Sequence, residues 1–185
     1  MTLALTSIHV YPVKSLGGFS IPEVRLTDRS LEHDRHWMLI DPDGRFLSQR
    51  ECSAMACLYC APHENGFGVT DTRNGNTLEA PWSLADGMRI NANIWDDKVE
   101  LILGNASMHN WFSEALQRPV RMVYMPDSTL RITDLNYAHV QVALNDGFPA
   151  LIISQASLDD LNMRLETPVP MGRFRPNLVI AGGAP

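Results

Sequence analysis

The sequence predicts a mostly β protein with a few helices, of the α+β class. Three observations carry that prediction. Hairpin-type turn residues recur between short apolar runs, at Pro42-Asp43-Gly44, Asn74-Gly75 and Asp96-Asp97. The strands so marked are short and closely spaced, which suits a barrel or a sandwich. Only two stretches, 105–117 and one opening at Ser157, switch to the three- and four-residue spacing of an amphipathic helix.

Taken in order, Leu3, Leu5, Ile8 and Val10 mark a first strand, which Pro12 ends because it has no N–H for a ladder. Lys14-Ser15 and Gly17-Gly18 follow at once. A second strand is expected within 19–28. Apolar runs at 37–40 and 45–50 flank the Pro-Asp-Gly turn as one hairpin, 66–72 and 77–79 form another, and 88–95 with 98–103 a third. Met108, Trp111, Phe112, Ala115 and Leu116 place a helix over 105–117, which Pro119 stops before a strand at 120–125. The polar segment 125–136 reads as a junction, dividing the chain into 1–125 and 126–185. Beyond it a strand is expected at 140–144 and a short buried one at 150–154. Ser157-Leu158-Asp159-Asp160 then resembles a capping box, opening a helix that buries Leu158, Leu161 and Leu165. A last strand follows Asn177.

Composition narrows the function. The chain has 185 residues, 45% of them apolar, and a net charge of −6, which disfavours a general nucleic-acid binder. No run of eighteen apolar residues marks a membrane span, and the N-terminus lacks the basic and apolar regions of a signal peptide. Cys52, Cys57 and Cys60 make no disulfide framework and fit a reducing cytoplasm. Their C-x4-C-x2-C spacing opens an iron–sulfur pattern that has no fourth cysteine, so structural thiols are the better reading. The six histidines show no metal-ligand spacing. Nucleophile elbows, Walker loops and G-x-G-x-x-G are absent.

What remains is a set of cations at structural corners. Of fifteen basic residues only Lys14 and Lys98 are lysines, and Lys14 sits where a strand runs into a turn beside a hydroxyl and two glycines. That suits an anion, above all a phosphate. Arg35, Arg173 and Arg175 can grip an oxyanion bidentately, and Asn177 offers an amide donor and acceptor. On residues alone the alternatives stay open: Lys14 as a solvated loop residue, Arg35 and Arg175 as buried ion pairs with acids such as Asp34 or Asp146.

Four blocks carry a resemblance: Tyr11-Pro12-Val13-Lys14-Ser15; Asp34-Arg35-x-Trp37-Met38-Leu39-Ile40-Asp41-x-x-Gly44-x-Phe46-Leu47-x-Gln49-Arg50; Ser157-Leu158-x-x-Leu161-Asn162; and Phe174-Arg175-Pro176-Asn177. In this order, over nearly the whole chain, they resemble MOSC proteins with an N-terminal β-barrel domain, the molybdenum cofactor sulfurase C-terminal type, which includes amidoxime-reducing components. The resemblance implies a MOSC N-terminal β-barrel domain over 1–125 and the opening of a MOSC β-barrel domain over 126–185. It implies a molybdenum cofactor (molybdopterin) whose pterin-phosphate pocket is lined by Lys14, Ser15, Arg35, Arg175 and Asn177. It also implies an oxidoreductase that reduces small N-hydroxylated compounds with an electron-transfer partner. Pyridoxal phosphate is not expected in this segment.

The family pattern continues to a molybdenum-ligating cysteine that the 185 residues do not reach, so the chain is expected to be a fragment that is inactive alone, with its last strand exposed at an edge. The rival readings are a non-catalytic binding module and a sulfur-transfer protein.

Overall fold

The computed structural model describes residues 2–184. The strands are β1 (Ala4–Val10), β2 (Phe19–Ile21), β3 (Trp37–Ile40), β4 (Leu58–His63), β5 (Gly66–Asp71), β6 (Thr77–Pro81), β7 (Arg89–Ile94) and β8 (Asp97–Leu103). After helix α1 (Ala106–Leu116) come β9 (Arg121–Tyr124) and β10 (Ile152–Ser154), then helix α2 (Gln155–Asn162) and β11 (Leu178–Ala181). The architecture is mostly β, as predicted. Three sheets form, in the orders β10-β11-β1-β2, β3-β9-β8-β7 and β4-β5-β6. All strand neighbours are antiparallel except β10 with β11.

The stretch after β1 stitches these sheets together. Val13 makes a parallel bridge to Trp37 of β3, and Gly17 makes one to Tyr59 of β4. Gly17 and Gly18 are there for that close approach. A Cβ on Gly17 would fall 2.4 Å from the Tyr59 ring, and one on Gly18 only 2.2 Å from the Val10 carbonyl oxygen. The Gly17 N–H donates to the Leu58 carbonyl (2.9 Å), so it serves the fold instead of an anion.

Two buried clusters meet at β3. Trp37 and Leu39 pack into one with Leu16, Met55, Phe67 and Phe112, while Met38 and Ile40 pack into the other with Ile94, Leu101 and Val123. Both faces of β3 are therefore covered, which is why it reads as an unbroken apolar run. Helix α1 presents Met108, Phe112 and Leu116 to the first cluster. Asn105 caps it by accepting the Met108 N–H (3.0 Å), and Gln117 closes it in the left-handed conformation (φ 52°).

Several local expectations are corrected. The second strand ends at Ile21 because Pro22 has no N–H to continue it. The second arm of the first hairpin shrinks to one bridge, Ile40 to Phe46. The third turn is Trp95-Asp96, since Asp97 already pairs with Ile94. Residues 140–144 form no strand: the Val142, Ala143 and Leu144 N–H groups donate to Arg131, Arg29 and Arg35 carbonyls on separate segments, so no ladder can repeat. β10 is an edge strand with Ile152 exposed, where a buried strand was expected. Helix α2 starts earlier, capped by Ser154, which accepts the Ser157 N–H (3.0 Å). It buries Leu158 but leaves Leu161 half-buried and Leu165 exposed, and Asp159 and Asp160 fall outside its first turn. β11 is flanked on both sides, by β1 and β10, so it is not the edge strand expected. β4, through the cysteine segment, was not foreseen as a strand. No helix among the described residues is long and apolar enough to cross a membrane.

Candidate functional site

The five residues picked from the sequence, Lys14, Ser15, Arg35, Arg175 and Asn177, line one cavity of about 260 Å³. They arrive from the end of β1, the turn before β3 and the turn before β11. Three of them, Ser15 (φ 70°), Arg35 (φ 53°) and Arg175 (φ 51°), hold left-handed backbone that non-glycine residues seldom adopt. Such conformations persist only where surrounding structure imposes them, and they concentrate at functional sites.

Lys14 is anchored by its N–H to the Trp37 carbonyl (2.8 Å) and its side chain is only 5% exposed. The ammonium donates to the Leu144 carbonyl (2.9 Å) and to Asp146 Oδ1 (2.5 Å), and lies 5.3 Å from the Phe46 ring centre. Burial pushes its pKa down to about 8, against the pull of Asp146. For the Asp146 carboxyl, burial acts upward, but the Lys14 charge and the hydrogen bonds from Lys14 and Trp95 outweigh it and leave the pKa below the usual value.

Arg35 is a structural clasp as well as a wall of the cavity. It donates to Asp34 Oδ2 (2.5 Å), to Asn177 Oδ1 (3.0 Å) and to the Arg175 carbonyl (3.0 Å), with its guanidinium 4.8 Å from the Tyr11 ring centre. Asp34 is wholly buried and also accepts from the Tyr11 N–H (2.9 Å) and Asn145 Nδ2 (3.1 Å). Asn177, wholly buried too, accepts from the Leu151 N–H (3.1 Å) and donates to the His9 carbonyl (3.2 Å). Its amide is thus engaged in joining β1 to the turn before β11. The ion pair suspected for Arg35 is present, with Asp34. Asp146 pairs instead with Lys14.

Arg175 differs from the rest. Half-buried, its guanidinium makes no hydrogen bond or ion pair among the described residues. Burial and the Arg35 charge lower its pKa. Asn145 Oδ1, also at the cavity, is buried without a partner. The set carries three cations against two carboxylates, so it is locally positive in a chain of net charge −6. Its open donors suit an oxyanion such as a phosphate.

Sequence reasoning missed Asn145, Phe148 and Leu151, and named Phe174 only as part of the Phe-Arg-Pro-Asn block, not as apolar lining. Nothing in their spacing marked them; the loop 145–149 reaches the site only through the tertiary fold. Arg173 is exposed and is not among the cavity residues. Cys52, Cys57 and Cys60 are free thiols outside the cavity lining, and burial pushes Cys60 up to about 12. No group of three or more His, Cys, Asp or Glu side chains among the described residues could hold a metal ion.

Comparison with known proteins supplies the relationship. A family model of the MOSC N-terminal beta barrel domain matches residues 2–119, and one of the MOSC domain matches residues 139–185. The chain belongs to the MOSC family. A molybdenum cofactor sulfurase of Oryza sativa subsp. japonica is 34% identical, over 98% of this chain and 24% of the relative. The mitochondrial amidoxime-reducing component 1 of Mus musculus is 26% identical, over 96% of this chain and 55% of the relative. The MOSC chain described here therefore spans about a quarter of the one relative and about half of the other. A Bordetella bronchiseptica protein solved in solution shares the fold, with a TM-score of 0.51 and 14% identity over 64% of this chain and 88% of that one.

Proposed function

We propose that the cavity holds the pterin-phosphate part of a molybdenum cofactor, with this chain forming one wall of the pocket in a molybdenum-dependent oxidoreductase that reduces small N-hydroxylated compounds. The observation that carries the reading is the convergence of Lys14, Ser15, Arg35, Arg175 and Asn177, scattered over the sequence, on one locally positive cavity. The names of the curated relatives point the same way. The donor set fits the phosphate end of such a group. Arg175 and the Ser15 hydroxyl would contact it, Lys14 would supply a buried positive charge, and Arg35 with Asn177 would fix the Arg175 backbone. The unpartnered Asn145 Oδ1 gives a pterin N–H an acceptor. The metal end is a different matter, because no thiol among the described residues lines the cavity. When bound, the cofactor supplies two-electron chemistry that removes oxygen from a substrate nitrogen, with reducing equivalents from an electron-transfer partner.

The test is Arg175→Gln in the full-length protein purified from its own cells. Molybdenum content and released pterin should both fall at least several-fold at unchanged urea stability. Unchanged content of both would refute the pocket. A second reading is a binding module without redox work. It predicts retained pterin with no reduction of an amidoxime by the full-length protein. Sulfur transfer through this chain's own cysteines is disfavoured by the buried, raised thiol of Cys60.

A further inference from the structure

We infer that Asp146 is a resident counter-ion of the cavity: it occupies the anion position at Lys14, and an incoming oxyanion must displace it. The inference rests on the anion reading above and adds to it how the site's affinity is set. Lys14 and Asp146 are unequal partners, their side chains 5% and 65% exposed. The cation is fixed, held from its other side by the Leu144 carbonyl (2.9 Å), whereas the carboxylate sits on a loop. Gly147, next to it, has open space where a side chain would be, so nothing packs against the loop on that side. Asp146 also borders a second cleft of about 640 Å³, whose charged lining is Lys98 and Arg131 with Asp96, Asp97 and Asp134. The displaced carboxylate therefore has room beside Lys98, while Arg131, paired with Asp97, holds the Asp146 carbonyl (3.3 Å), so the side chain swings on a tethered backbone.

Competition follows from geometry. Asp146 Oδ1 lies 2.5 Å from the Lys14 ammonium, in the place a ligand oxygen would take. A tethered carboxylate competes at high effective concentration, so a ligand gains only by reaching donors that Asp146 leaves open. Arg175 is such a donor. A clasp closed nine-tenths of the time weakens apparent affinity about tenfold. The clasp also has a reporter, because Trp95 Nε1 donates to the same Asp146 oxygen (3.3 Å) and must lose that bond when the carboxylate leaves.

The experiment is calorimetric titration of the full chain with inorganic phosphate at fixed ionic strength, for wild type, Asp146→Asn and Arg175→Gln. Tryptophan emission is followed in parallel, with Trp95→Phe as the control. The expected result is about tenfold tighter phosphate binding by Asp146→Asn, weaker binding by Arg175→Gln, and a phosphate-induced emission change in wild type that Trp95→Phe abolishes. Binding detected only with Asp146→Asn supports the inference equally. Equal or weaker binding by Asp146→Asn, with wild-type binding still lost in Arg175→Gln, means that Asp146 merely positions Lys14; the inference then fails and the anion site stands. No phosphate binding by either wild type or Asp146→Asn overturns both.

Discussion

Arg35 holds the wholly buried Asp34 carboxylate and reaches on to Asn177 and the Arg175 carbonyl, so its removal leaves a buried charge short of a partner. Breaking such a pair costs about 3–5 kcal/mol. Arg35→Ala is accordingly expected to unfold at markedly lower urea, while Arg175→Gln, with no bond to lose, stays within about 1 kcal/mol of wild type. Equal midpoints for the two variants would contradict this division of roles. His36 gives a second test at the same scale. Burial first, then the Arg29 and His33 charges, lower its pKa from 6.5 to about 4. A depressed folded pKa means the contribution is complete above pH 6.5 and is lost as pH falls toward 4, worth up to about 3 kcal/mol. In an NMR titration the His36 ring should stay neutral until near pH 4; protonation near 6.5 would rule the burial argument out.

The elements separate residues that look equivalent in sequence. Ser154 and Ser157 both precede or open α2, yet only Ser154 accepts the Ser157 N–H and so caps the helix. Ser154→Ala should cost about 1 kcal/mol, and Ser157→Ala, which keeps its N–H, should cost less; thermal unfolding of the pair decides it. Gly17 and Gly18 divide in the same way. An added Cβ at Gly17 meets the half-exposed Tyr59 ring, which can turn aside, whereas at Gly18 it meets the Val10 backbone oxygen. Gly18→Ala should therefore be the more destabilising, by about 1–3 kcal/mol. Chemical denaturation of the two single variants measures the difference, and parity would mean the backbone of β1 yields.

At the scale of the molecule, the two regions matched by separate family models share a sheet. β1, from the first, pairs with β11, from the second, through Leu5 with Ile180 and Ile8 with Leu178. The Arg35, Asn177 and Tyr11 hydrogen bonds cross the same boundary. Residues 2–184 should then unfold in one cooperative step, with tryptophan emission and far-ultraviolet circular dichroism giving the same midpoint. Two separated transitions would show that the sheet is not shared in solution.

Much of this was legible in the linear chain. Turn residues and apolar period marked most strands and both helices, since those signals are local: Gly75 takes φ 78° in its turn, and α1 spans nearly the residues its period indicated. The cations of the site were legible too, because Lys14, Arg35 and Arg175 stand beside proline, glycine or aspartate punctuation. What each cation touches was not. Whether Arg35 takes Asp34 or Asp146, whether the Asn177 amide is open or engaged, and that Val142, Ala143 and Leu144 are buried without forming a strand all depend on segments more than a hundred residues apart. The sequence alone determined the β-rich class and which side chains are suited to an anion. The tertiary structure decided that they share one cavity and that Asp146 already sits at Lys14, because hydrogen bonds and charge pairs are set by proximity in space, which no spacing along the chain encodes.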